Sequence, residues 1–231
     1  MKTIGIIGGI SWVSSVDYYR IINEQINHKL KGLNAGKIIL YSVNYGEIKE
    51  LTDQNRWADI TTLIQDAAIK LELAGADCLI IGANTMHRIA PEVQQVLKIP
   101  LLHIAEVTAA AIHQKGLKTV ALLGTKYTME MDFFKDKLNS LGITTLIPDL
   151  FDRDLLHAAI YNELGKGLFL PETKTMFLNI MAGLKESGAE GVILGCTEIP
   201  MLLSQADFDL PLFDTTLIHA SAAVEFALSE S

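Results

Sequence analysis

Residues 75–85 read GADCLIIGANT and residues 188–198 read GAEGVILGCTE. Each is an apolar run entered through Gly-Ala and an acidic residue, closed by a glycine and followed by polar or reactive side chains. Short unbroken runs of Ile, Val and Leu suggest strands covered on both faces. Two further echoes flank the pair. Lys2-Thr3-Ile4-Gly5-Ile6-Ile7-Gly8-Gly9 resembles Lys118-Thr119-Val120-Ala121-Leu122-Leu123-Gly124-Thr125, and Ile99-Pro100-Leu101-Leu102-His103 resembles Leu210-Pro211-Leu212-Phe213-Asp214. The offsets are 116, 113 and 111 residues, with the order kept. Such a repeat predicts two similar lobes, a first over 1–103 plus 215–231 and a second over 104–214.

The stretches between these runs carry the other half of the pattern. Strands are expected at 3–7, 38–43, 78–82, 119–123 and 191–194. Ile60, Leu63, Ile64, Ala67, Leu71 and Ala74 recur at helical spacing over 58–74, and Gly75 follows as a stop. Residues 215–229 also read as a helix, able to pack back on the first lobe. Alternating strands and helices give an α/β fold with parallel sheets in two similar lobes. If the lobes are related by a pseudo-twofold axis, the active site is expected in the cleft between them.

Bulk properties narrow the function. The chain has 231 residues, 49% of them hydrophobic, enough for a full core. Its net charge is -8 with both signs interspersed, which argues against a nucleic-acid partner. The opening MKTIGIIGG is too short for a signal h-region, and no apolar stretch reaches the length of a membrane span. Cys78 and Cys196 are too few for a disulfide framework and have no metal-ligand spacing, so a cytoplasmic location, away from membranes, is expected.

In open parallel sheets, ligands bind beyond the carboxyl ends of the strands. Four such ends stand out: Gly8-Gly9-Ile10-Ser11, Gly82-Ala83-Asn84-Thr85, Gly124-Thr125 and Gly195-Cys196-Thr197-Glu198. Glycines admit close backbone approach, and hydroxyl, amide and backbone N–H groups can hold carboxylate oxygens. Neither a G-x-G-x-x-G fingerprint nor a Walker A lysine is present. Sliding the halves together by 113 residues sets Ala83 on Cys196 and Asn84 on Thr197. Two thiols at these equivalent places could deprotonate one face of a carbon and protonate the other, inverting a stereocentre without a cofactor. Here one of the two is a methyl group.

At this point the chain resembles the cofactor-independent aspartate/glutamate racemase family, most closely its L-aspartate/glutamate-specific members, nearly end to end. The marks are Gly8-Gly9-Ile10-Ser11-Trp12 with Tyr18-Tyr19-Arg20, then Asn84-Thr85-Met86-His87, then Leu123-Gly124-Thr125-Lys126-Tyr127-Thr128-Met129-Glu130, and Gly195-Cys196-Thr197-Glu198-Ile199. The resemblance implies racemisation of aspartate or glutamate, a small acidic amino acid as partner, no pyridoxal phosphate, no metal and a homodimer. It places the second-lobe catalytic cysteine at Cys196. Ala83 falls where most members carry the first-lobe cysteine and some L-specific members threonine. Ile10, Ser11, Thr52, Asn84, Thr85, Thr125, Thr128, Thr197 and Glu198 become the candidate substrate-binding residues. Thr52 is a departure, since a close relative pattern has glutamine there.

Two origins of Ala83 stay open: an engineered inactive variant of a cysteine-bearing parent, or a natural chain that has lost one base. Two other functions also stay open, an isomerase or decarboxylase-like enzyme using Cys196 on another small dicarboxylate, and a non-catalytic binder of acidic amino acids. Cys78 opens its strand and reads as core. His87 reads equally as a group supporting Asn84 and as a helix-start histidine bonded to backbone, and His103 as a polar group at a strand end. Lys166 reads as a solvated turn lysine, and the Tyr18-Tyr19 and Phe133-Phe134 pairs as core or interface.

Overall fold

Buried apolar runs and glycine-closed helices build the same layered unit twice. In the computed structural model, which describes residues 1–229, β1 (Ile4–Gly8) is buried at all its positions and is followed by α1 (Trp12–Leu30). Residues 230 and 231, at the end of the expected first lobe, lie outside the described residues. β2 (Ile38–Ser42), α2 (Tyr45–Asp53), α3 (Trp57–Leu73) and β3 (Cys78–Ile81) follow, then a 3-10 turn at Thr85–Ile89 and α4 (Ala90–Gln94). The strands form a parallel sheet in the order β2-β1-β3, and Leu101 adds a parallel bridge to Leu79.

The second build begins with α5 (Ile104–Gln114), β4 (Thr119–Leu123), α6 (Lys126–Glu130), α7 (Asp132–Asn139) and β5 (Thr144–Leu146). It continues through α8 (Leu150–Asn162), α9 (Pro171–Glu186), β6 (Val192–Leu194), α10 (Ile199–Leu202), β7 (Leu212–Asp214) and α11 (Thr215–Leu228). Its sheet is parallel in the order β5-β4-β6-β7. The expected fold class, two similar α/β lobes with parallel sheets, is the one observed. The chain divides into Met1–Ile104 with the segment from His219 onward, and Ala105–Ile218. The second crossing falls inside α11, after its first turn, where Thr215 Oγ donates to the Leu194 carbonyl at 2.8 Å.

The repeat extends to register and to single hydrogen bonds. Gly5 pairs with Leu79 as Ala121 pairs with Val192. The Gly82 N–H donates to the Ile7 carbonyl at 2.9 Å, and the Gly195 N–H to the Leu123 carbonyl at 2.7 Å. The Asp77 carboxylate accepts from the Thr3 N–H at 2.6 Å, as the Glu190 carboxylate does from the Thr119 N–H at 2.9 Å. Both preceding helices stop on a glycine in the left-handed region, Gly75 at φ +95° and Gly188 at φ +101°, as such caps require. Equal register keeps the same residues facing the core, because a one-residue slip would invert every side chain.

One core packs Ile4, Ile6, Tyr18, Ile22, Cys78 and Ile80 against Ala220, Ala223 and Val224 of α11, so the last helix does return to the first unit. Small residues on α11 let that helix lie close to the sheet. In the second unit Ala121, Leu123, Phe177, Met181, Val192 and Leu194 form the corresponding core. Full burial of each large apolar chain contributes roughly 1.5–3 kcal/mol. β2 departs from the expectation of cover on both faces: it is an edge strand with Leu40 46% exposed, because only β1 pairs with it. No helix among the described residues is long and apolar enough to cross a membrane.

Candidate active site

Glycines at the strand ends bring the reactive side chains of each unit into place. In the first unit Gly9 has φ +87°, and a Cβ there would lie 2.1 Å from the Val43 carbonyl oxygen, so no other residue fits without moving backbone. The next residues, Ile10 and Ser11, are buried. Two serines on the first turn of α1 then tie this strand end to its neighbour. Ser15 Oγ accepts from the Gly9 N–H at 2.7 Å and lies 3.1 Å from the Ser11 carbonyl. Ser14 Oγ lies 2.9 Å from the Ser11 carbonyl and 3.0 Å from that of Gly82. Ser11 and the Gly82-Ala83-Asn84-Thr85 segment are thus joined through one hydroxyl.

Behind Ala83 stand buried histidines. His87 Nδ1 is 2.9 Å from the Ala83 carbonyl, and since a carbonyl only accepts, Nδ1 carries the proton. Burial, and then the neighbouring His103 with its ring centre 4.9 Å away, push the His87 pKa down to about 3. His219 donates from Nε2 to the Leu102 carbonyl at 2.8 Å and accepts from the Tyr18 hydroxyl at 2.8 Å. Burial again dominates, and its pKa also falls to about 3. Both rings are therefore neutral at pH 7, and His87 serves the strand-end loop as a donor. Its ring bonds to backbone at the start of a short helical turn, which is the second of its two sequence readings.

In the second unit, β4 and β6 end in contact. A Cβ on Gly195 would sit 2.7 Å from the Leu123 carbonyl oxygen, and one on Gly124 would sit 2.9 Å from that of Gly195. The Thr128 side chain lies within 3.2 Å of both hypothetical atoms, so it packs over the strand end that leads into Cys196. Thr125 Oγ accepts the Thr128 N–H at 3.4 Å, capping α6. The sequence-predicted Thr125 and Thr128 are thereby brought beside Gly195.

Cys196, 9% exposed, donates from Sγ to Glu198 Oε2 at 3.0 Å, and Thr197 Oγ donates to the same oxygen at 2.8 Å. Burial, followed by the negative charge of Glu198 and its hydrogen bond, raises the Cys196 pKa well above the ordinary thiol value. The thiol is accordingly held protonated beside a carboxylate able to take its proton. Sequence reasoning grouped Glu198 with the substrate-binding residues, yet its carboxylate oxygen is engaged by the thiol and by Thr197.

Thr52 is buried, but its hydroxyl donates to the Ile48 carbonyl within α2 at 2.7 Å, so its hydrogen goes to its own helix. Cys78 is fully buried in the core, with its pKa pushed up to about 12 mainly by burial. Lys166 is exposed at the end of a 3-10 turn. Sequence reasoning did not single out Ser14, Ser15 or His219. The serines carried a usable signal, directly after a glycine-ended strand, whereas His219 reaches its partners across more than 100 residues of chain. Among the described residues no group of three or more His, Cys, Asp or Glu is placed to hold a metal ion.

Comparison with known proteins bears on the same residues. The sequence profile of the Asp/Glu/Hydantoin racemase family matches residues 7–223. A Yersinia pestis protein of known structure, described as a candidate Asp/Glu racemase, is 42% identical with a TM-score of 0.93, covering 99% of this chain and 100% of its own. An aspartate racemase homologue from Pyrococcus horikoshii OT3 is 33% identical with a TM-score of 0.87, again over 99% and 100%. The broad specificity amino-acid racemase RacX of Bacillus subtilis strain 168 is 27% identical over 170 residues, 72% of this chain and 71% of its own.

Proposed function

The chain belongs to the Asp/Glu/Hydantoin racemase family, and on that premise we propose that it moves the α-proton of aspartate or glutamate without a cofactor. The observation that carries this reading is the Cys196 thiol, donating to a buried carboxylate at a strand end. Glu198 accepts the thiol proton, and the thiolate then removes the α-proton of a bound amino acid. The resulting charge spreads into the α-carboxylate, which backbone N–H groups and the polar groups of Ser11, Asn84 and Thr85 stabilise, while the Thr197 hydroxyl holds Glu198. Thr125, Thr128 and Ile10 stay in the proposal as substrate-binding residues, as the resemblance implies. The substrate ammonium, being positive, also favours the thiolate.

Inversion needs a second group on the opposite face of the carbon. The repeat assigns that place to position 83, where alanine offers no proton. We therefore assign to this chain one active half of a two-base pair, with inversion slowed about 10²–10⁴-fold, the usual contribution of one acid or base. The homodimer implied by the resemblance belongs to the same proposal and is read by sedimentation. A second reading rests on Ala83 itself: with a single proton-transfer pair, the chain would act one-sidedly on another small dicarboxylate. Incubation in D₂O with each enantiomer of aspartate and glutamate tests the first reading by proton NMR. Exchange of the α-proton from one enantiomer, lost in Cys196→Ala, is the expected result, and no exchange from any of the four overturns it.

A further inference from the structure

The first unit holds a cavity of about 380 Å³ that the proposed reaction does not use, lined by Trp57, Ala58, Thr61, Arg88, Ile89 and Glu92. Arg88 lies over the Trp57 ring, with its guanidinium carbon 4.2 Å from the ring centre. Its Nη1 is buried and makes no hydrogen bond to any described residue. Neither Arg88 nor Glu92 takes part in an ion pair among the described residues, although both line this cavity.

A guanidinium is always charged and has only donors, so a buried nitrogen without a partner is destabilising until an acceptor reaches it. A carboxylate suits it best, through short charge-assisted bonds. Stacking on Trp57 fixes the fork in one orientation. Glu92 offers the opposite charge on the same wall. A cavity of this size takes a small molecule, and the molecule carrying a carboxylate and an ammonium on one carbon is an α-amino acid. We propose that this cavity is a second site for a free α-amino acid, held as its zwitterion with the carboxylate on Arg88 and the ammonium toward Glu92. The site is independent of the proposed reaction, because it uses none of the strand-end residues.

The indole N–H resonance of Trp57 reports on the site. In the Trp12→Phe protein, which keeps Trp57 as its only tryptophan, that resonance is followed by NMR during titration with glycine, acetate or methylammonium. Glycine is expected to shift it saturably and at about tenfold lower concentration than acetate, the effect of one added charged contact. Glu92→Gln, a change at an exposed position, should remove the advantage of glycine over acetate. Arg88→Met should remove the response to both. Absence of a saturable glycine shift, equal response to glycine and acetate, or a glycine shift unchanged in both variants would each overturn the proposal. The last outcome would mean that Trp57 senses binding elsewhere.

Discussion

Cys196 and Glu198 illustrate how one contact sets two opposing effects. The carboxylate raises the thiol pKa by its charge, yet it is also the group placed to accept the thiol proton at 3.0 Å. Glu198→Gln should thus lower the pH at which iodoacetamide alkylates Cys196, since a repelling charge is lost, while slowing α-proton exchange about 10²-fold or more. An alkylation profile that moves upward would contradict this assignment. The cysteine was legible in the sequence, because the repeat set it against Ala83. Its partner was not, because sequence spacing gives no side-chain direction, and a carboxylate two residues from a thiol is as readily turned to solvent.

At the level of strands and helices, glycines at equivalent positions are under unequal constraint. A Cβ on Gly195 meets the Leu123 carbonyl oxygen at 2.7 Å, whereas one on Gly82 makes its nearest contact, with the Ile7 carbonyl oxygen, at an ordinary 3.5 Å. Gly195→Ala should destabilise the protein by about 1–3 kcal/mol, and Gly82→Ala by less than about 1 kcal/mol, as read by urea unfolding. Equal losses would show that the repeat, not the local packing, sets the requirement. Strands β1, β3, β4 and β6 were readable because each is an apolar run pointed at a core from both sides. β5 and β7 span only Thr144–Leu146 and Leu212–Asp214, too short for periodicity, and β7 was visible only as an echo of the segment around Leu101. β2 looked central by composition but lies at an edge, since strand order depends on pairing rather than on hydropathy.

Across the whole molecule the repeat made the fold legible, while the support of the strand ends by distant groups was not. His87, His103 and His219 come from separate elements, and only folding places their rings together. Burial of neutral His87 and His219 also ties stability to pH. Each has a folded pKa near 3, below the ordinary value of 6.5, so the unfolded chain binds more protons between these limits. Their contribution is complete above pH 6.5 and is lost as pH falls toward 3. Stability should drop by roughly 2 kcal/mol per histidine between pH 6.5 and 5, at about 1.36 kcal/mol per pH unit. Urea unfolding at the two pH values should show a smaller drop for His87→Gln than for the unaltered chain, and an unchanged drop would refute the cause. The central claim, that Ala83 stands where a proton-transfer group is missing, is met most directly by Ala83→Cys. With aspartate and glutamate in D₂O, chiral chromatography should find inversion in Ala83→Cys at least about 10²-fold faster than in the unaltered chain. Equal inversion by both proteins, or none by either, would contradict the account.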